Sequence, residues 1–177
     1  MENSGFSQLG NIGMWELCLT AYVKASESKY VSNVKTNSVA CGVLNMIGNK
    51  GGVQLMFNFY GHSFNLIDCH LHPGAFAMAQ RLAMFQKINR ELSKNGLEPD
   101  SEADFSMVMG DFNSRFKMKF TEFMRLNKGK VEGAHLFLDE LDELREALKD
   151  QRFPGYCEGP ITFKPTYKCA QLSNDDD

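Results

Sequence analysis

One pair of segments near the middle of the chain constrains the fold more than any other. Gly52 to Phe59, GVQLMFNF, alternates apolar and polar, so Val53, Leu55, Phe57 and Phe59 share a face. Tyr60-Gly61-His62-Ser63 reads as a tight hairpin turn, and Phe64 to Leu71, FNLIDCHL, returns as the partner strand. The period then changes. From Ala75 to Leu92 the apolar residues Phe76, Ala79, Leu82, Ala83, Phe85, Ile88 and Leu92 follow helical spacing, punctuated by Pro73-Gly74 before and Asn95-Gly96 after.

The flanking segments extend this pattern. Trp15 to Lys24 and Val39 to Leu44 are rich in strand formers. Phe105 to Met109, FSMVM, has the length of a buried strand. Helices are expected at about Lys119–Leu126 and Glu132–Lys149, and Gly159 to Lys168 is extended because its two prolines exclude a helix. Strands in antiparallel runs with interspersed helices predict an α+β fold, an α/β sandwich. Residues 1–13 are polar and glycine-rich and predict a flexible lead-in, residues 14–170 a single domain, and residues 171–177 an acidic disordered tail.

The 177 residues suffice for one domain with a sizeable core. A net charge of −3 and a pI of about 5.8 argue against nucleic acid as the partner. No run reaches the ~18 apolar residues of a membrane span, and the first residues lack the basic and apolar regions of a signal peptide. Five cysteines, odd in number and without a CxxC pair, read as reduced thiols of a cytoplasmic protein; their spacing does not suit zinc.

Four clusters can carry chemistry. Asn49-Lys50-Gly51-Gly52 is a glycine-flanked loop with one lysine, suited to an anion but lacking the order of a P-loop. Asp68-Cys69-His70-Leu71-His72 puts His70 at a strand end, where it can donate to a phosphate oxygen. Asp111, Asn113 and Arg115 follow the short apolar strand at every second position, so continued alternation would aim all three the same way. Lys164-Pro165-Thr166-Tyr167-Lys168 is a rigid basic surface. Each cluster also has a bland reading as an ordinary loop or turn. Glu16 reads as an exposed strand carboxylate rather than a metal ligand.

In this order the clusters resemble the inositol polyphosphate 5-phosphatases, within the endonuclease/exonuclease/phosphatase superfamily. The matching residues are Met46-Ile47-Gly48-Asn49-Lys50-Gly51-Gly52-Val53, Cys69-His70-Leu71, Gly110-Asp111-Phe112-Asn113-Ser114-Arg115 and Phe163-Lys164-Pro165-Thr166-Tyr167-Lys168. The resemblance implies a DNase I-like four-layer sandwich, here incomplete at both ends. It implies a Mg²⁺-dependent phosphomonoesterase that removes the 5-phosphate from phosphoinositides or inositol polyphosphates. Carried over by position, Asp111 would activate the attacking water, and Asn113 and His70 would stabilise the phosphoryl oxygens. Tyr167 and Lys168 would hold a neighbouring ring phosphate. Arg115, Lys50 and Asn49 would support or line the site. A peripheral membrane contact is a further expectation.

The chain also departs from that pattern. Cys69 replaces a usual serine, Ser114 a common tyrosine and Phe112 a common leucine. The upstream strand that carries an asparagine and the Mg²⁺-binding glutamate is not found before Trp15. The Cys-Asp-Arg and Ser-Asp-His elements are not found after Lys168. The metal ligands are therefore unassigned. Two alternatives stand beside the enzyme: a phosphoinositide-binding remnant without turnover, and a nuclease or sphingomyelinase of the same superfamily.

Overall fold

A computed structural model describes residues 5–42, 48–94, 103–119, 121–122, 125 and 141–161. The chain divides into two compact units, Met1–Asn113 and Ser114–Asp177.

The first unit is built on the expected central hairpin. Strands β1 (Phe6–Met14), β2 (Leu17–Lys24), β3 (Val31–Ala40), β4 (Gly51–Phe59), β5 (His62–His70) and β6 (Phe105–Asp111) are joined by a 3-10 turn at Ala25–Tyr30 and by helix α1 (Met78–Lys94). β1 and β2 form a two-stranded sheet, and the other four form a sheet in the order β3-β4-β5-β6. The β4–β5 turn is tighter than expected, only Tyr60 and Gly61. Both have positive φ, 50° and 81°, which is the turn that matches strand twist.

Strand parity divides the core between two faces. Val53 and Leu55 of β4 pack against Leu17 and Leu19 of β2, with Leu9, Ile12 and Met14 of β1 around them. Gly52 lies on the other face, where a Cβ would meet Ile88 of α1 at 2.8 Å. Phe85, Ile88 and Leu92 of α1 are buried there, as the helical spacing predicts. The first unit thus stacks hairpin, sheet and helix. A polar chain crosses the helix-side face, from buried Gln54 Nε2 to buried Asn65 Oδ1 (2.9 Å) and from Asn65 Nδ2 to the exposed Ser106 Oγ (3.2 Å). A one-residue slip of β4, β5 or β6 would unpair these groups, so they help fix the register.

Three expectations need correction. Residues 6–13 are not a flexible lead-in; they belong to β1, paired with β2. Gly10 is a close-approach site rather than a hinge, since a Cβ there would stand 2.6 Å from Leu55. The second strand begins at Val31, not Val39, because β3 is an edge strand and can carry the polar run from Ser32 to Ser38. β6 is not buried: Phe105 and Met107 are 55% and 57% exposed on the strand that ends the sheet among the described residues. Smaller shifts are that Trp15 and Glu16 form the β1–β2 turn, and that α1 starts at Met78.

Asp104 fastens the start of β6. Its carboxylate accepts from the Ser63 amide (2.7 Å) and hydroxyl (3.0 Å), and these bonds hold its pKa below the ordinary 3.8. A depressed carboxyl stabilises the fold above its unfolded pKa and loses that contribution as pH falls through the folded value. Melting Asp104→Asn beside the parent chain should show a lower Tm at neutral pH and a gap that closes as pH drops below 3.8. A gap of constant size would show that the carboxylate is not the anchor.

The second unit is described over fewer residues. Helix α2 (Glu143–Lys149) is capped by Asp142, whose side chain accepts from the Leu144 and Arg145 amides at 2.7 and 3.0 Å. Phe116 and Asp142 form a β-bridge, Lys117 pairs with Glu146, and Ala147 and Phe153 are buried. The expected stop at Asn95-Gly96, much of the helix at 119–126, the start of that at 132–149, and residues 162–177 lie outside the described residues.

Candidate active site

The site is a product of register. β5 and β6 are parallel, with Phe64 opposite Phe105 and, at the far end, His70 opposite Asp111. Partners across a ladder share a face, so the imidazole and the carboxylate emerge side by side. His70 Nε2 lies 3.5 Å from Asp111 Oδ2. On its other flank His70 faces Gly51 of β4, which has no side chain to fill the space. Lys50 reaches into that space, its Nζ 3.5 Å from His70 Nδ1 and 3.1 Å from the Asn49 carbonyl. Glu16, in the β1–β2 turn, brings Oε2 to 3.5 Å from the same Nδ1.

Gly110 makes the strand end where it does. Its φ of +116° is hostile to an L side chain, and a Cβ would be driven into the Cys69 carbonyl oxygen. Beyond it the backbone folds back instead of continuing. Asp111 Oδ1 accepts from the Asn113 amide (2.9 Å), Asn113 takes φ of 53°, and Asn113 Nδ2 donates to the Leu71 carbonyl (3.1 Å). The Leu71 amide in turn donates to the Asp111 carbonyl at 2.9 Å. Asp111 and Asn113 are therefore brought together by a side-chain-closed turn, not by strand alternation. The expectation that alternation carries through to Arg115 is corrected. Arg115 belongs to the second unit, where its amide donates to Glu143 Oε2 at 3.0 Å.

The groups differ in their access to water. The His70 side chain is 19% exposed and that of Asp111 is 62% exposed. One Asp111 oxygen is held by the Asn113 amide and the other faces the ring, so the carboxylate is oriented yet open to a water molecule. Asp68 shares this face of β5. Burial pushes its carboxyl above the ordinary range, and nearby His70 pulls it back in part. Cys69 points the opposite way and is fully buried, which pushes its thiol pKa up and removes it as a nucleophile.

Asp111, Asn113, His70 and Lys50 are thus brought together, and the Asn49 carbonyl accepts from Lys50. Tyr167 and Lys168 lie outside the described residues. Glu16, expected as an exposed strand carboxylate, sits instead in the β1–β2 turn beside His70, a placement that only the β1–β2 pairing reveals.

Set against known proteins, the pattern of the Endonuclease/Exonuclease/phosphatase family 2 matches residues 1–176. The chain belongs to this family. Inositol polyphosphate 5-phosphatase K of Mus musculus is 30% identical over 97% of the chain and 37% of the mouse protein. Phosphatidylinositol 3,4,5-trisphosphate 5-phosphatase 2 of Homo sapiens is 32% identical over 92% of the chain and 13% of the human protein. Among solved structures, the inositol polyphosphate 5-phosphatase domain of SPsynaptojanin, in complex with inositol (1,4)-bisphosphate and calcium ion, superposes with a TM-score of 0.83. It is 26% identical and is matched over 96% of this chain and 48% of its own. The fold is therefore the DNase I-like α+β sandwich of the 5-phosphatases, and the chain spans about half or less of the length of the proteins it matches.

The family implies a divalent metal, so the donor set matters. Glu16 and Asp111 face opposite nitrogens of His70, and the ring stands between them. Among the described residues no group of three or more His, Cys, Asp or Glu side chains is arranged to hold a metal ion. A hard cation takes several oxygen ligands, so these residues alone do not fit one.

Proposed function

We propose that this member of the family is a phosphomonoesterase acting on the 5-phosphate of phosphoinositides or inositol polyphosphates. The observation that carries the reading is the His70–Asp111 pair at the shared end of β5 and β6, with Lys50 on the ring's other nitrogen. In the reaction a water oxygen attacks phosphorus, the bond from phosphorus to the inositol oxygen breaks, and the water's proton passes to Asp111. The released inositol oxygen takes up a proton from solvent. His70 and the Asn113 carboxamide donate to the phosphoryl oxygens as charge builds on them. Lys50 and Asn49 support the phosphate site.

Mg²⁺ is the cofactor in this reading. It would supply charge neutralisation at the phosphate. A cytoplasmic protein with a peripheral membrane contact suits a lipid substrate. The exposed aromatic rings of Trp15 (75%) and Phe76 (97%) support that contact, while no helix among the described residues is long and apolar enough to cross a membrane.

The test is phosphate release from phosphatidylinositol 4,5-bisphosphate, with and without Mg²⁺, set against a DNA and a sphingomyelin diester. Release from the phosphomonoester alone is the expected result. Binding of inositol phosphates without release would replace the enzyme by a non-catalytic binding remnant. Preference for either diester would overturn the substrate class.

A further inference from the structure

The His70 ring is approached from both sides by charged groups whose hydrogen-bonding demands differ. Lys50 and Glu16 both lie 3.5 Å from Nδ1, and Asp111 lies 3.5 Å from Nε2. An ammonium can only donate and a carboxylate can only accept. A neutral imidazole has one proton to place. On Nδ1 it would serve Glu16, leave Lys50 only the Asn49 carbonyl as acceptor and turn the Nε2 lone pair against the Asp111 carboxylate. On Nε2 it serves Asp111, and Nδ1 accepts from Lys50. The second arrangement satisfies two neighbours and opposes only Glu16.

We propose that Lys50 is a positioning residue that fixes the Nε2–H tautomer of His70, with Glu16 as the competing acceptor that the lysine must outweigh. Resting on the phosphatase reading, this assigns Lys50 a task apart from lining an anion loop: it keeps the imidazole proton on the side of Asp111 and of the phosphoryl group. Separations of 3.5 Å are long for hydrogen bonds, and such contacts commonly tighten when substrate arrives. The fold builds the competition in. Gly51 opposite His70 leaves room for the lysine, and Gly48 lets the Trp15-Glu16 turn come down on the loop, since a Cβ there would strike the Trp15 ring.

The arrangement makes an unusual second-site prediction. In Lys50→Met the donor is lost, and Glu16 and Asp111 compete for the proton from equal separations of 3.5 Å. The Nδ1–H tautomer becomes populated, and phosphate release falls by the fraction of rings so turned, about twofold. Adding Glu16→Gln supplies an amide N–H at the same place. The double variant should regain the Nε2–H tautomer and the parent's rate of phosphate release. A residue acting only as packing would not be rescued by an amide in the β1–β2 turn, and the tautomer itself separates this account from a restored net charge.

Long-range ¹H–¹⁵N correlation of the His70 ring in the 177-residue chain reads the tautomer directly. The proton is expected on Nε2 in the parent, divided between Nε2 and Nδ1 in Lys50→Met and on Nε2 in the double variant. Should Lys50→Met fail to fold, Lys50→Ala serves, with the same division expected. A parent ring carrying its proton on Nδ1, or protons on both nitrogens, overturns the proposal, as does a tautomer indifferent to Lys50. The spectrum needs no turnover. Expected tautomers without phosphate release would sink the phosphatase reading and leave this assignment standing.

Discussion

Asp111→Asn should abolish phosphate release while leaving the fold intact. The amide keeps the shape of the side chain and can still accept the Asn113 amide bond that closes the turn. It cannot take a proton from water. A positioned general base contributes about 10²–10⁴-fold, so the rate should fall by that amount, roughly 3–5 kcal/mol of barrier. Tm should move little, because the Asp111 side chain is 62% exposed. Full activity in Asp111→Asn would remove this residue from the chemistry. A rate loss matched by a large fall in Tm would mean that the carboxylate serves the fold instead.

The second large effect is structural. Gly110→Ala forces a side chain onto a residue at φ +116° with the Cys69 carbonyl and the Asp68 carboxylate against it. Backbone strain and collision together should destabilise by about 4 kcal/mol, or about 10 °C in Tm for a chain of this size. Gly155→Ala is the control. Gly155 also has positive φ, 83°, but nothing lies within 4 Å of its would-be Cβ. It should lose only the strain term, about 1 kcal/mol. Equal losses at the two sites would show that crowding at Gly110 is relieved by a shift of β5 or β6. Such a shift would also move Asp111 away from His70, so residual activity in Gly110→Ala separates the two accounts.

What could be read from the sequence was local. The β4–β5 hairpin, the α1 stripe and the strand before Gly110 follow from periods of two and 3.6 with turn residues between them. The residues Asp111, Asn113, His70 and Lys50 were legible because each is carried on a short motif. The failures share one cause, which is that tertiary placement decides what a polar or glycine-rich stretch does. β1 looked like a lead-in because its contacts are with residues of β2 and β4, and Gly10 is informative only once Leu55 stands over it. β3 looked polar because it is an edge. β6 looked buried because five residues of apolar sequence do not reveal which strand ends a sheet. Arg115 was grouped with Asp111 and Asn113 by alternation, and one residue at positive φ broke that geometry. Glu16 carried no motif at all. Its proximity to His70 depends on a turn, a register and an absent side chain at Gly48, none of which is written in its own neighbourhood.

The parallel pairing of β5 with β6 has a consequence for how the molecule reaches its working state. Hairpins such as β1–β2 and β4–β5 close over a couple of residues, whereas Phe64–His70 must meet Phe105–Asp111 across the whole of α1 and the loops around it. Loop closure over that span is entropically dearer, and contacts between distant segments form late. The His70–Asp111 contact lies at the extreme end of that ladder. It therefore exists only in chains that have completed their most distant pairing, while the hairpins and much of the helix can precede it. Helix and strand content measured by circular dichroism will count partly zipped molecules as native. The chemistry will not, which makes turnover a stricter gauge of complete folding than any spectroscopic average over the backbone.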